Sequence, residues 1–253
     1  MFENFRTFET TYAGRPVVVE TGKTCGLANG SCWVRYGETV VMANVTASAK
    51  PREGVDFFPL SVDFEEKMYA VGKIPGGFNK REGKASEHAI LTSRVIDRPM
   101  RPLFPKDYRN DVTLVNMVMS VDPECNPEIP AMLGSSIATC ISDIPFDGPC
   151  ATTQVGLING EYIINPTMAQ KDVSDLQLTV ASTREKVIMI EAGAKEVPED
   201  KMIEAIYKAH EVNQEIIKFI DKIVEECGKP KHSYESCACL LYTTDAADDR
   251  ISV

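Results

Sequence analysis

Histidine is scarce: His88, His210 and His232 are the only three in 253 residues. They are scattered and fall in no recognisable motif, so no Ser-His-Asp or Cys-His arrangement is available for nucleophilic catalysis. His88 and His210 lie on predicted helices rich in charge, and solvated surface is the expectation for all three. No run of about 18 apolar residues occurs, which leaves no segment reading as a membrane span. The opening stretch MFENFRTFETTYAGR lacks the charged-then-apolar order of a signal peptide. An intracellular, cytoplasmic protein with no membrane partner is expected. There is no internal repeat.

Two other patterns fall short of function. Gly22-Lys23-Thr24 follows a strand-like run, but the phosphate cradle needs glycine five positions earlier, where Val17 stands. The following CGLANGSC is no helix start, so the segment reads as a turn. Of eight cysteines, Cys32, Cys140 and Cys150 sit among apolar residues and read as reduced, buried hydrophobes. Cys237 and Cys239 form C-x-C without a second pair at ligand spacing, and no metal site is expected.

What is present is ordinary globular composition, 43% hydrophobic and 25% charged, in a chain long enough for a sizeable core. Hairpin signals stand at Ala13-Gly14, at Tyr36-Gly37-Glu38 and, most strongly, at Asn159-Gly160. DFFPLSVDFEEKMYAVG, DVTLVNMVMSV, LQLTVAST and KVIMIEAG add strands. Ser86 caps a predicted helix whose apolar positions Ile90, Leu91, Val95 and Ile96 recur at helical spacing, and Pro99 should end or kink it. PEIPAMLGSSIATCIS reads as a second helix, with small residues on one face. Pro198, Glu199 and Asp200 open a third, through about Cys227, with Ile206, Ala209, Ile216, Ile220 and Val224 on one face and Gly228 as C-cap. Helices covering mixed strands make an α+β fold.

One segment departs from the rest in charge. Between Lys80 and Lys106 stand seven cations against three acids, a local surplus of four positive charges in a chain of net charge -10. Glycines let Lys80 and Arg81 project from a loop, Arg94 and Arg98 stack one turn apart, and Phe78 offers a ring. Phosphate-binding cations beside an aromatic platform suit single-stranded nucleic acid. The plainer alternative is that these arginines pair with acids of the same chain.

KIPGGFNKREGKASEHAILTSRVIDRPMRPLFP closely resembles the first core of the bacterial polynucleotide phosphorylases, as do NPEIPAMLGSSIATCISDIPFDGP and VGLINGEYIINPT. The likeness runs from about Phe5 to Ala238 and implies a ribonuclease PH-like core. It implies a subdomain over 1–145, a second over 146–228 with the long helix, and a linker start over 229–238. The family degrades RNA from its 3′ end with inorganic phosphate, reversibly, releasing nucleoside diphosphates. It uses Mg²⁺, threads single-stranded RNA through a homotrimeric ring, and works in degradation complexes with a helicase or endoribonuclease. Carried onto this chain, Phe78 is a stacking ring and Lys80, Arg81 and Lys84 lie in the RNA-gripping loop. Arg94, Arg98 and Arg101 lie on the RNA path. Asn79 stands where a second aromatic or aliphatic residue is common, which implies weaker stacking.

The family's phosphate and metal chemistry belongs to its second core, at a Ser-rich turn and a D-x5-D-x-K pattern. Anchored on VAST, this chain has Lys171, Gln177 and Thr179 where Asp, Asp and Lys are needed. Two carboxylates would hold Mg²⁺; a lysine and an amide do not. No catalytic residue is therefore expected here, and Gly134-Ser135-Ser136 reads as helix packing. The alternatives are a single-core ribonuclease PH-like enzyme trimming transfer RNA, and a binding module without chemistry. The end of the chain, CLLYTTDAADDRISV from Cys239 to Val253, resembles a translated library oligonucleotide and is expected to be non-native.

Overall fold

Burial alternates residue by residue along the strands of the first sheet, although their sequences hold apolar runs such as Val17-Val18-Val19. β1 (Arg6–Tyr12), β2 (Arg15–Thr21), β3 (Gly30–Tyr36) and β4 (Thr39–Pro51) follow one another as antiparallel neighbours. Their buried positions, among them Val17, Val19, Cys32, Val34, Val41, Ala43 and Val45, all point one way. β6 (Asn110–Ser120) pairs antiparallel with β4, and β5 (Leu60–Glu66) closes the sheet parallel to β6, giving the order β1-β2-β3-β4-β6-β5. A parallel neighbour requires a crossover. Here the crossover carries helix α1 (Glu87–Met100) and the basic segment. The computed structural model describes residues 4–52 and 54–236; Cys237, Cys239 and the suspect tail 239–253 lie outside them.

β7 (Ala151–Ile158), β8 (Glu161–Ile164), β9 (Leu176–Ser182) and β10 (Val187–Ala194) form a second, antiparallel sheet in the order β10-β9-β7-β8. Its β7–β8 hairpin turns on Asn159 and Gly160, at φ 51° and 83°, the left-handed pair that a two-residue turn of this kind demands. Helix α2 (Glu128–Ile141) touches β3, β4 and β6 of the first sheet and β7 of the second. Every residue of it after Glu128 is buried. Gly134 is needed because a Cβ there would stand 2.9 Å from Ala43 Cβ. Helix α4 (Glu199–Cys227) covers β7 and β9 with Ala205, Ala209, Asn213, Ile216, Ile217 and Ile220.

Two features depart from the expectation, at α1 and α3, and one at Pro99 meets it. Ile90 and Leu91 do not face the core: they are 50% and 62% exposed. The buried stripe of α1 is Ala89, Thr92, Ile96, Pro99 and Met100, so Ile96 meets the core while Ile90 and Leu91 lie off the stripe. Pro99 stands one residue before the end of the helix, which closes at Met100 and passes into a 3₁₀ turn over Arg101–Leu103, as expected of a proline at that place. At the last turn the missing amide costs one bond, and the ring is buried. Helix α3 (Met168–Val173) is an element not expected from the sequence. It starts at a reciprocal cap in which Thr167 accepts from the Gln170 amide and Gln170 reaches back to Thr167.

Candidate nucleic-acid interface

The basic segment begins at a 3₁₀ turn, Met68–Val71, and runs as loop to Ser86. Its ends are fastened. Glu82 Oε1 accepts from the Met68 amide at 3.0 Å, and Ser86 Oγ donates to Glu66 Oε2 at 2.8 Å while capping Ala89 N at 3.0 Å. Between these anchors Gly77 has φ 77° and Lys80 φ 47°, a left-handed conformation uncommon for a residue with a Cβ. Phe78 is fully exposed, at 101%. Lys80, Arg81 and Lys84 are exposed, and among the described residues none of them forms an ion pair.

The helix arginines divide. Arg94 is exposed and has no ion pair among the described residues. Arg98 Nη2 meets Glu191 Oε2 of β10 at 2.8 Å across an exposed contact. Arg101 belongs to the scaffold. Its guanidinium takes both Asp97 oxygens, at 2.8 and 3.0 Å, and donates to the carbonyls of Phe58 and Leu60 at 3.0 and 3.2 Å. It also lies over the Phe58 ring, 5.9 Å from the centroid. With its donors turned onto Asp97 and β5, Arg101 positions α1 and offers little to an outside phosphate.

The three residues aligned with the metal-and-lysine pattern do come together. Lys171, Gln177 and Thr179 line a cavity of about 480 Å³ with His88, Glu128 and Gln154. His88 is exposed, as expected, but it has partners: its Nε2 lies 3.1 Å from Glu128 Oε1 and its Nδ1 3.1 Å from Glu66 Oε1. Glu128 accepts from Gln154 Nε2 at 2.7 Å and Asn126 Nδ2 at 2.8 Å, and Lys171 Nζ stands 3.7 Å away. Burial would raise the Glu128 carboxyl; Lys171, Gln154, His88 and Asn126 outweigh it and hold the group below the usual carboxylate range. The ammonium end is served less well. Burial draws the Lys171 pKa down, and Glu128 restores only part of it.

This donor set does not fit a divalent ion. Two carboxylates line the cavity, Glu128 and Glu191, and each already has a cation beside it, Lys171 at 3.7 Å and Arg98 at 2.8 Å. Among the described residues no group of three or more His, Cys, Asp or Glu could hold a metal. The Gly134-Ser135-Ser136 stretch lies inside α2. There Ser135 Oγ donates to Asn116 Oδ1 at 3.0 Å and Ser136 Oγ accepts from the Cys150 amide at 3.1 Å. Nothing in the sequence marked Glu128, which gathers partners from three other elements and the loop before α2.

A model of domain 1 of the 3′ exoribonuclease family matches residues 13–145, and one of domain 2 matches residues 148–212. The chain belongs to the 3′ exoribonuclease family. Its similarity to a polyribonucleotide nucleotidyltransferase of Lachnoclostridium phytofermentans is 72% identity over 233 residues, covering 92% of this chain and 33% of that protein. A polyribonucleotide nucleotidyltransferase of Ruminiclostridium cellulolyticum is 61% identical over 232 residues, again with 92% and 33% covered. The chain therefore spans about a third of the length of the curated relatives it matches. The crystal structure of rice (Oryza sativa) Rrp46 aligns with a TM-score of 0.66 at 13% identity, over 89% of this chain and 96% of that one. That likeness establishes the ribonuclease PH-type fold expected of a 3′ exoribonuclease family core. No helix among the described residues is long and apolar enough to cross a membrane.

Proposed function

We propose that this chain is the RNA-gripping core of a phosphorolytic 3′-to-5′ exoribonuclease, a polyribonucleotide nucleotidyltransferase, and that its own cavity performs no chemistry. The observation that carries the reading is the group of cations, Lys80, Arg81, Lys84 and Arg94, that stand exposed without an acidic partner among the described residues. An acidic protein has no structural use for four such charges on a glycine loop and an adjoining helix; a polyphosphate strand does. Phe78 stacks on a base, the loop cations and Arg94 take phosphates, and Arg98 joins them by leaving Glu191. Arg101 keeps α1 in place.

The Glu128–Lys171 pair supports the second half of the reading. With Lys171 standing where a carboxylate would be required, neither a Mg²⁺ nor an attacking phosphate is activated there. Inorganic phosphate and Mg²⁺ act in the longer protein, at residues outside this chain. The assembly is a cytoplasmic homotrimer, and it joins an RNA-degrading complex with a helicase or endoribonuclease; for these the support is the family likeness. Incubating the full 253-residue chain with a single-stranded 3′ RNA, phosphate and Mg²⁺ tests the reading. RNA binding without nucleoside diphosphate release is expected. Release by this chain alone would contradict it and favour the single-core enzyme.

A further inference from the structure

The outer face of α1 joins the basic loop to the cavity at Glu128. Ile90 and Leu91 lie on it, 50% and 62% exposed, in a stripe at helical spacing with Glu87, Arg94 and Arg98. Leu91 also lines the cavity beside His88 and Lys171. A single exposed apolar residue needs no explanation. Two adjacent ones are a different arrangement here, because they lie between three loop cations that form no ion pair among the described residues and Arg94, so an apolar step separates two groups of cations along one line. The helix spans about 21 Å, the reach of several nucleotides of single strand. Near its far end Arg98 is engaged by Glu191, in a pair whose side chains are 51% and 46% exposed, and an exposed pair of this kind is weak enough for a competing anion to replace.

We propose that the outer face of α1 is a rail for single-stranded RNA, with Ile90 and Leu91 lying against bases while Arg94 and Arg98 hold the phosphates between them. The inference rests on the RNA-gripping reading and adds to it two residues that no charge argument selects. Charge complementarity favours a nucleic acid over a protein here: the stretch from Lys80 to Arg98 carries five cations against the three carboxylates Glu82, Glu87 and Asp97, which leaves it positive. Aliphatic contacts read the presence of a base and not its identity, so the rail tolerates any sequence.

The test compares binding of the full chain to an oligo-uridylate of about 12 nucleotides and to an abasic strand of equal length. Wild type should prefer the base-bearing strand by roughly tenfold. I90S/L91S should lose most of that preference while keeping its dependence on salt, because no phosphate contact has gone. Arg94→Ala should weaken both strands alike and lower the salt slope by about one. Leu91→Ala alone gives the same readout at smaller amplitude if the double variant melts early. The rail is overturned if I90S/L91S keeps the full preference for bases. It is equally overturned if the variant changes the oligomeric state in light scattering while RNA binding stays the same, since the face then meets protein. Failure of wild type to bind either strand would instead sink the RNA-gripping reading itself.

Discussion

Helices α1 and α2 are each 14 residues long and follow one another along the chain, with β6 between them, yet they do opposite work. α2 is wrapped on all sides between two sheets, and its single charge, Glu128, sits at its first position. α1 is anchored by one narrow stripe, Ala89, Thr92, Ile96, Pro99 and Met100, and turns the rest outward. The difference teaches where this molecule keeps its fold and where it keeps its contacts. A helix buried all round cannot change a residue without repacking, whereas a helix held along one edge is free to carry cations and apolar side chains for a partner.

Several substitutions would break or sharpen that contrast. The largest effect is expected in α2, where Gly134→Val drives a side chain into Ala43 and Val34, at 2.9 and 3.2 Å from the new Cβ. A loss of about 3 kcal/mol should appear in chemical denaturation, and an unchanged midpoint would mean that α2 is not packed as described. Next comes Lys171→Met, which takes the ammonium from the half-buried Glu128 carboxylate and leaves it to His88, Gln154 and Asn126, and should cost roughly 1 kcal/mol. The same carboxylate gives a pH signature. Its folded pKa is depressed, so it contributes stability above the unfolded carboxylate value, and that stability is lost as pH falls through the lower folded value. Glu128→Gln should remove this part of the acid limb, and an acid limb of unaltered slope would show that the site does not titrate in this way.

Effects no larger than that of Lys171→Met belong to α1. Ser86→Ala removes the cap on Ala89 N and the bond to Glu66, and about 1 kcal/mol should be lost, with faster amide exchange confined to the loop and first turn. Leu91→Ala, on the exposed face, should stay within about 0.5 kcal/mol of wild type. A large loss there would place Leu91 in a contact that the fold does not contain.

Much of the fold was legible because its elements are locally consistent. The turns at Ala13-Gly14, Tyr36-Gly37-Glu38 and Asn159-Gly160 and the capped start of α1 all carry their own chemistry in neighbouring residues. The misread positions have a shared cause. Ile90 and Leu91 share the helical spacing of Val95 and Ile96, but spacing alone does not say which face is covered, and the buried stripe of α1 is Ala89, Thr92, Ile96, Pro99 and Met100. α3 was missed because six residues show too little periodicity, although its Thr167–Gln170 cap was there to be seen. The loop cations were visible as a charge anomaly. The Glu128 cluster was not, since His88, Gln154 and Lys171 come to it from α1, β7 and α3, and only tertiary structure supplies that meeting. Arg101 shows the reverse limit: its type and spacing matched those of Arg94 and Arg98, and only the position of Asp97 and β5 separates it from them.

The most direct measurement is a salt titration of 3′-single-stranded RNA binding to the full chain and to its Lys80→Ala/Arg81→Ala/Arg98→Ala variant. The account predicts that wild type binds, and that the variant loses affinity together with about one unit of salt slope for each phosphate contact removed. Equal affinities and equal slopes would contradict it, and would make the cations of the loop and of α1 features of the fold alone.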